Sequence, residues 1–245
     1  MQIMSTIATN LQAVKRRIAA AAQAAGRAAE GVTLLVVSKT FAAEQVRDCA
    51  AAGQRAFGEN YLQEALDKIE ALRKLDPGKP GLRTLAPGAL DLEWHFIGPI
   101  QSNKTRPIAE KFLWVHGIER ERIALRLNDA RPPALPPLNV CIQVNVSGEA
   151  SKSGVAPDET VALARTIAAL PRLKLRGLMA IPEPTSDPAL RRRRFALLRD
   201  IQAKLVALGH PLDTLSMGMS DDLEDAIAEG ATMVRIGTAV FGARA

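Results

Sequence analysis

Thr33-Leu34-Leu35-Val36-Val37-Ser38-Lys39-Thr40 is the stretch from which the fold can be read. Four apolar residues in succession, two of them valine, with no glycine or proline among them, mark a buried parallel strand rather than one with a solvated face. Lys39 stands where this strand should end. An ammonium group is costly to desolvate without a partner. Lys39 therefore either snorkels into solvent at the strand terminus or has a chemical task there.

Downstream, apolar runs and helical periodicities alternate. Strands are predicted over 55–58, 92–97, 113–116, 139–146, 175–179, 214–215 and 233–236. The intervening segments carry the 3.6-residue period of helices. The longest is Pro188 to Leu208, with Leu190, Leu197, Leu198, Ile201, Leu205 and Leu208 on its inner face. Ser220 is expected to cap a helix running to Glu229, with Gly230 as its stop. An alanine-rich helix from Thr9 to Ala25 precedes the first strand, carrying Leu11, Val14 and Ile18 on one stripe. About eight strands with helices between them predict an α/β protein: a single (β/α)8 TIM-type barrel with an extra N-terminal helix, residues 1–245 forming one domain. A doubly wound open sheet is the rival. Asp76 to Leu90, rich in proline and glycine and without a period, reads as a long surface loop.

The chain has 245 residues, about the usual length of one such barrel, and 47% of them are hydrophobic. Its net charge of +6 permits anionic ligands without demanding them, and no nucleic-acid partner is expected. The Arg191–Arg194 run winds around a helix and forms no single stripe. The two cysteines, Cys49 and Cys141, form no metal or redox motif, which fits a reduced cytoplasmic setting. No secretory signal is expected, and no apolar run is long enough to cross a membrane. His116 and His210 have no partner at metal-ligand spacing, so no metal is expected.

In barrels of this kind the active site lies at the C-terminal ends of the strands. Polar residues gather at those positions: Lys39 after the first strand, Glu59 and Asn60 after the second, and His95 near the end of the third. Asn145, Ser147 and Lys152 follow the fifth strand, Ser216-Met217-Gly218-Met219-Ser220 the seventh, and Arg235 with Gly237-Thr238 close the eighth. The last two loops are where phosphate sites commonly form. Alternation along the eighth strand puts Met233, Arg235 and Gly237 on one face and Val234 and Ile236 on the other. A lysine facing a phosphate site suits a ligand with an amine-reactive end and an anionic end. Pyridoxal 5′-phosphate (PLP) has both. An inward Arg235 can face its pyridine nitrogen, or it can form a buried ion pair with Glu59.

The motifs Val37-Ser38-Lys39-Thr40, Phe57-Gly58-Glu59-Asn60-Tyr61, Trp94-His95-Phe96-Ile97-Gly98, Gln101-Ser102-Asn103-Lys104, Ser151-Lys152-Ser153-Gly154, Gly177-Leu178-Met179, the run from Leu215 to Asp222, and Arg235-Ile236-Gly237-Thr238 occur in order across nearly the whole chain. Together they resemble the YggS/PROSC family of PLP-binding, PLP-homeostasis proteins. The resemblance implies a barrel like the N-terminal domain of alanine racemase. It makes Lys39 the Schiff-base lysine and Arg235 the pyridine partner, and it puts Ser216, Ser220, Gly237 and Thr238 around the phosphate. Asn60 and Met217 are further cofactor-binding candidates. His95 either touches the cofactor or is a hydrogen-bonded core histidine. Lys152 is either a second amine near the cofactor or a solvated loop lysine.

The expected role is a cytoplasmic monomer that binds, buffers and delivers PLP, with PLP-requiring apoenzymes as partners. An amino-acid racemase or related PLP enzyme is the alternative. A second, mostly β domain of the racemase type is not expected, because the sequence stops just after the eighth strand. The single tyrosine, Tyr61, has no obvious catalytic placement.

Overall fold

The computed structural model describes residues 6–75, 92–148 and 153–242. Eight parallel strands close into a barrel in sequence order. They are β1 (Thr33–Val37), β2 (Ala56–Glu59), β3 (Glu93–Phe96), β4 (Trp114–Ile118), β5 (Leu138–Gln143), β6 (Leu173–Met179), β7 (Thr214–Ser216) and β8 (Met233–Ile236). Closure is made by β1 pairing with β8, Thr33 to Met233 through Val36 to Ile236. This pairing excludes the doubly wound alternative, whose open sheet would leave β1 and β8 unpaired.

The helices are α1 (Thr6–Ala24), α2 (Ala43–Ala51), α3 (Leu62–Leu75), α4 (Thr105–Lys111), α5 (Glu121–Ala130), α6 (Thr160–Ala168), α7 (Pro188–Ala207), α8 (Leu223–Ala228) and α9 (Thr238–Phe241). Helices α1 and α7 start and stop within three residues of the predicted bounds. Helix α7 is capped by Asp187, whose Oδ1 accepts from the Ala189 amide at 2.9 Å, with Pro188 opening the first turn. One expectation at the C-terminal end is corrected. Ser220 does not cap α8: the helix begins at Leu223, and Asp222 Oδ1 instead accepts from the Met219 amide. The Asp222 side chain reaches back into the loop, so the turn over 219–222 stays outside the helix. Residues 238–241, for which no element was predicted, form α9.

Side chains divide into two layers, as strand alternation requires. Leu34, Val36, Phe57, Trp94, Val115, Val140, Leu178, Val234 and Ile236 point outward and join the helices in the main core. Inside the barrel are two small apolar groups. One contains Leu35, Val37, Ala56, Ile97 and Met233, and the other Trp114, Cys141 and Met179. Between them lies a polar seam that carries much of the chemistry below. Asp76–Leu90 and Lys152 fall outside the described residues.

Candidate functional site

Lys39 follows β1 directly, and its setting is a buried ion-pair platform. Ser38 is fully buried, and its Oγ donates to Glu59 Oε1 at 2.6 Å. Lys68 Nζ donates to the same oxygen and to the Ser38 carbonyl, both at 2.6 Å, and to Glu64 Oε1 at 3.0 Å. Glu64 also accepts from the Thr40 amide, next to a Thr40 φ of 68°. A threonine in the left-handed region is uncommon and is held only where its surroundings enforce it. The residues on both sides of Lys39 are thus fixed by one network. Burial pushes the Glu59 carboxyl up, against the opposing pull of Lys68 and Ser38.

Asn60 follows β2 and lines the cavity, and its Oδ1 is buried with no hydrogen-bond partner. Its backbone is pressed against the turn after β3, where a Cβ at Gly98 would run into the Asn60 carbonyl oxygen. Glycine is required there by proximity alone.

Arg235 projects into the barrel from β8. Its Nη1 donates to the Ser216 carbonyl at 2.6 Å and to Ser216 Oγ at 2.9 Å, and its Nη2 to the Ala180 carbonyl at 2.8 Å. It makes no ion pair with Glu59, which is committed to Lys68. Burial brings the Arg235 guanidinium down to about 10, so it remains cationic at neutral pH.

The extra N-terminal helix supports the loop after β7 and the short helix α9. Arg17 of α1 donates to the Ser220 carbonyl at 3.1 Å while forking onto Glu224, and Asn10 Nδ2 donates to the Val240 carbonyl at 3.1 Å. Gly218, at φ 93°, turns the loop so that its carbonyl accepts from the Arg235 amide at 2.9 Å.

Lys39, Asn60, Ser220, Arg235, Gly237 and Thr238 together line one open cavity of about 250 Å³ at the C-terminal rim. Val37, Ile97, Ile181, Met219 and Asp221 complete its wall. Ser216, Met217 and His95 are not among the lining residues. Ser216 is the last residue of β7 rather than part of a loop, and it is fully buried beneath Arg235. Met217 packs its side chain into the outer core.

His95 is a hydrogen-bonded core histidine. Its Nε2 meets Glu93 Oε1 at 2.8 Å and its Nδ1 meets His116 Nε2 at 2.9 Å. His116 Nδ1 lies 2.9 Å from Ser216 Oγ. Burial lowers the affinity of both rings for a proton. Glu93 partly offsets this at His95, whereas His95 and Arg235 add to it at His116. Both are therefore neutral in the fold, while in the unfolded chain they titrate near 6.5. Below that pH the unfolded chain binds protons that the folded one refuses. Stability present above about pH 6.5 should be lost as pH falls, by up to about 1.4 kcal/mol per pH unit for each histidine. Urea midpoints at pH 7.5, 6.5 and 5.5 measure this. A midpoint unchanged across that range would mean that the rings accept protons in place.

Sequence reasoning missed Lys68, although a signal existed: it lies on the stripe with Ala65 and Leu72, both buried. A lysine on the apolar face of a helix must have a buried partner. It also missed Ile181 and the link from His116 to Ser216. Among the described residues, no helix is long and apolar enough to cross a membrane, and no group of three or more His, Cys, Asp or Glu is placed to hold a metal ion.

Residues 9–245 match the family model described as alanine racemase, N-terminal domain. A Pseudomonas aeruginosa protein named pyridoxal phosphate homeostasis protein is 61% identical over 241 residues, covering 98% of this chain and 97% of its own. Among solved structures, PipY of Synechococcus elongatus with PLP bound is 34% identical with a TM-score of 0.78, covering 96% of this chain and 100% of that one. Alanine racemase from Corynebacterium glutamicum, at 20% identity and a TM-score of 0.68, shares the fold over 97% of this chain and 61% of that one.

Proposed function

The chain belongs to the pyridoxal phosphate homeostasis proteins of the alanine racemase N-terminal domain family, and from that premise we propose that its rim cavity holds PLP between Lys39 and the loops after β7 and β8. The observation that carries this reading is the composition of that one cavity. It brings together a lysine at a strand end, a buried guanidinium, two hydroxyls and an orphaned amide oxygen. These residues fit the group. Lys39 supplies the amine for a Schiff base to the aldehyde. Arg235 faces the ring nitrogen, and Ser220, Gly237 and Thr238 surround the phosphate. The unpaired Asn60 Oδ1 offers an acceptor to a ligand donor, which would remove the cost of burying it alone. PLP bound in the PipY structure supports the same assignment.

The chemistry PLP supplies when bound is electron withdrawal through its ring. A cationic guanidinium at the ring nitrogen opposes ring protonation and weakens that withdrawal. The open rim lets a small ligand enter and leave, whereas carbanion chemistry benefits from excluding water. The role that follows is cytoplasmic binding, buffering and delivery of PLP to PLP-requiring apoenzymes, by a monomer. The test incubates the loaded protein with each common L- and D-amino acid, and times PLP handover to an apoenzyme against free PLP. We expect handover without substantial turnover. A rate above about 1 s⁻¹ on any amino acid would instead make the protein an enzyme.

A further inference from the structure

The polar seam inside the barrel has a single direction, and its chemistry dictates which. A guanidinium has only donors, so Ser216 Oγ accepts from Arg235 at 2.9 Å. The hydroxyl proton must then go to His116 Nδ1, 2.9 Å away. A neutral His116 consequently carries its proton on Nε2 and donates to His95 Nδ1 at 2.9 Å. A neutral His95 carries its own on Nε2 and donates to Glu93 Oε1 at 2.8 Å. Working inward from the other end gives the same result, because a carboxylate only accepts. Reversing the chain requires one additional proton and leaves the Ser216 hydroxyl without an acceptor in it. The two ends therefore select one tautomer for each ring.

Resting on the PLP reading above, we propose that Glu93, His95 and His116 are positioning residues for Arg235, acting through Ser216 as a one-way hydrogen-bond chain that fixes the guanidinium at the floor of the cofactor cavity. The chain crosses the barrel interior. It starts at the first residue of β3, where the Glu93 side chain is 34% exposed, and ends at Arg235, a residue that lines the cavity. Ser216 contributes both its carbonyl and its hydroxyl to Nη1. The orientation of that hydroxyl is set only by His116. Both Nη1 hydrogens are thereby taken, and Nη2 donates to the Ala180 carbonyl. Trp114 stacks on His95, with ring centroids 5.3 Å apart and planes 7° from parallel, which holds that ring in the seam. In a low-dielectric interior such chains polarise one another. The Glu93 charge thus strengthens the grip of Ser216 on Arg235.

The first measurement needs no cofactor. The protein has three histidines, so long-range ¹H–¹⁵N spectra of the apo-protein resolve each ring. We expect His95 and His116 to be neutral Nε2–H tautomers at pH 7. An Nδ1–H tautomer or an imidazolium at either would overturn the chain. The second measurement compares His116→Phe with His116→Gln, whose amide offers both an acceptor and a donor. His116→Phe should speed side-chain hydrogen exchange at Arg235 and weaken PLP binding about tenfold (about 1.4 kcal/mol). His116→Gln should restore both to within about threefold. Equal behaviour of the two variants would reduce His116 to packing. Should His116→Phe fail to fold, Glu93→Gln at the exposed end keeps the acceptor but removes the charge. It should shift the His116 ¹⁵N resonances and the visible absorption of the loaded protein without moving the melting temperature; unmoved resonances would overturn the proposal. If wild-type protein binds no PLP while the tautomers are as expected, the cofactor reading fails and the chain stands.

Discussion

Replacing Lys39 with alanine should leave a folded protein that no longer holds PLP covalently and binds it about a hundredfold more weakly or worse, a loss of about 2.8 kcal/mol or more. Lys39 is half-buried at the end of β1 and lines the same cavity as Arg235 and Thr238. Its backbone is set by partners that do not involve its own amine: Ser38 is tied to Glu59 and Lys68, and Thr40 to Glu64. Removing the side chain therefore leaves these backbone ties in place while deleting the group that reacts with an aldehyde. Noncovalent contacts from the phosphate loops and Arg235 would remain, so weak, reversible binding should persist. Borohydride reduction of the wild-type complex followed by peptide mapping should place the pyridoxyl mass on Lys39. A label confined to Lys104 or Lys152 would refute the assignment, as would a Lys39→Ala protein that still becomes labelled to the wild-type extent.

Lys68→Met should be the most destabilising exchange around the site, at about 3–5 kcal/mol. Lys68 and Glu59 have side chains only 4% and 0% exposed. Methionine fills the volume but leaves the Glu59 carboxylate without its cation. Glu59 Oε2 already lacks any partner, so the remaining compensation would be the single bond from Ser38. Burial raises the Glu59 pKa even in the wild type. Without Lys68 it should rise further, and between the ordinary carboxyl value and that raised one the folded state binds more protons than the unfolded. The deficit of the variant should therefore shrink as pH falls and grow as pH rises. Glu59→Gln/Lys68→Met should be more stable than Lys68→Met alone, since no buried charge is left unpaired. Urea denaturation of the three proteins at pH 5.5 and 8 measures both effects. A loss below about 1 kcal/mol for Lys68→Met would show that water reaches the carboxylate. The same platform flanks Lys39, so PLP retention should fall in parallel with stability.

Much of this molecule was legible in one dimension because its strands are short, apolar and evenly interrupted. The valine-rich run before Lys39 identified β1 as buried on both faces, and the period-two pattern of β8 alone turned Arg235 inward. Both follow from the geometry of a strand and need no neighbour. The same holds for Lys39 and Asn60 at strand ends and for Gly237 and Thr238 after β8, all of which line the cavity. The helix boundaries were legible wherever a proline, glycine or aspartate punctuated the chain, as at Asp187-Pro188. They were misread at Ser220, where Asp222, three residues after Met219, competes for the turn amide.

What the sequence determined by itself was thus the alternation of strand and helix, the face on which each strand residue lies, and the rim where polar groups collect. Which inward residues meet was decided only by the closed barrel. Strand periodicity states that His95, His116, Ser216 and Arg235 all point inside, but their contacts depend on how the strands are staggered around the closure. His116 and Ser216, 100 residues apart, touch because the closed sheet brings β4 and β7 within reach across its interior. Ser216, expected at the phosphate, is instead the buried hydroxyl beneath Arg235, because β7 runs one residue further than its apolar pattern indicated. Lys68 found Glu59 for the same kind of reason: α3 folds back over the ends of β1 and β2, and a charge that must be buried takes the opposite charge that packing brings beside it.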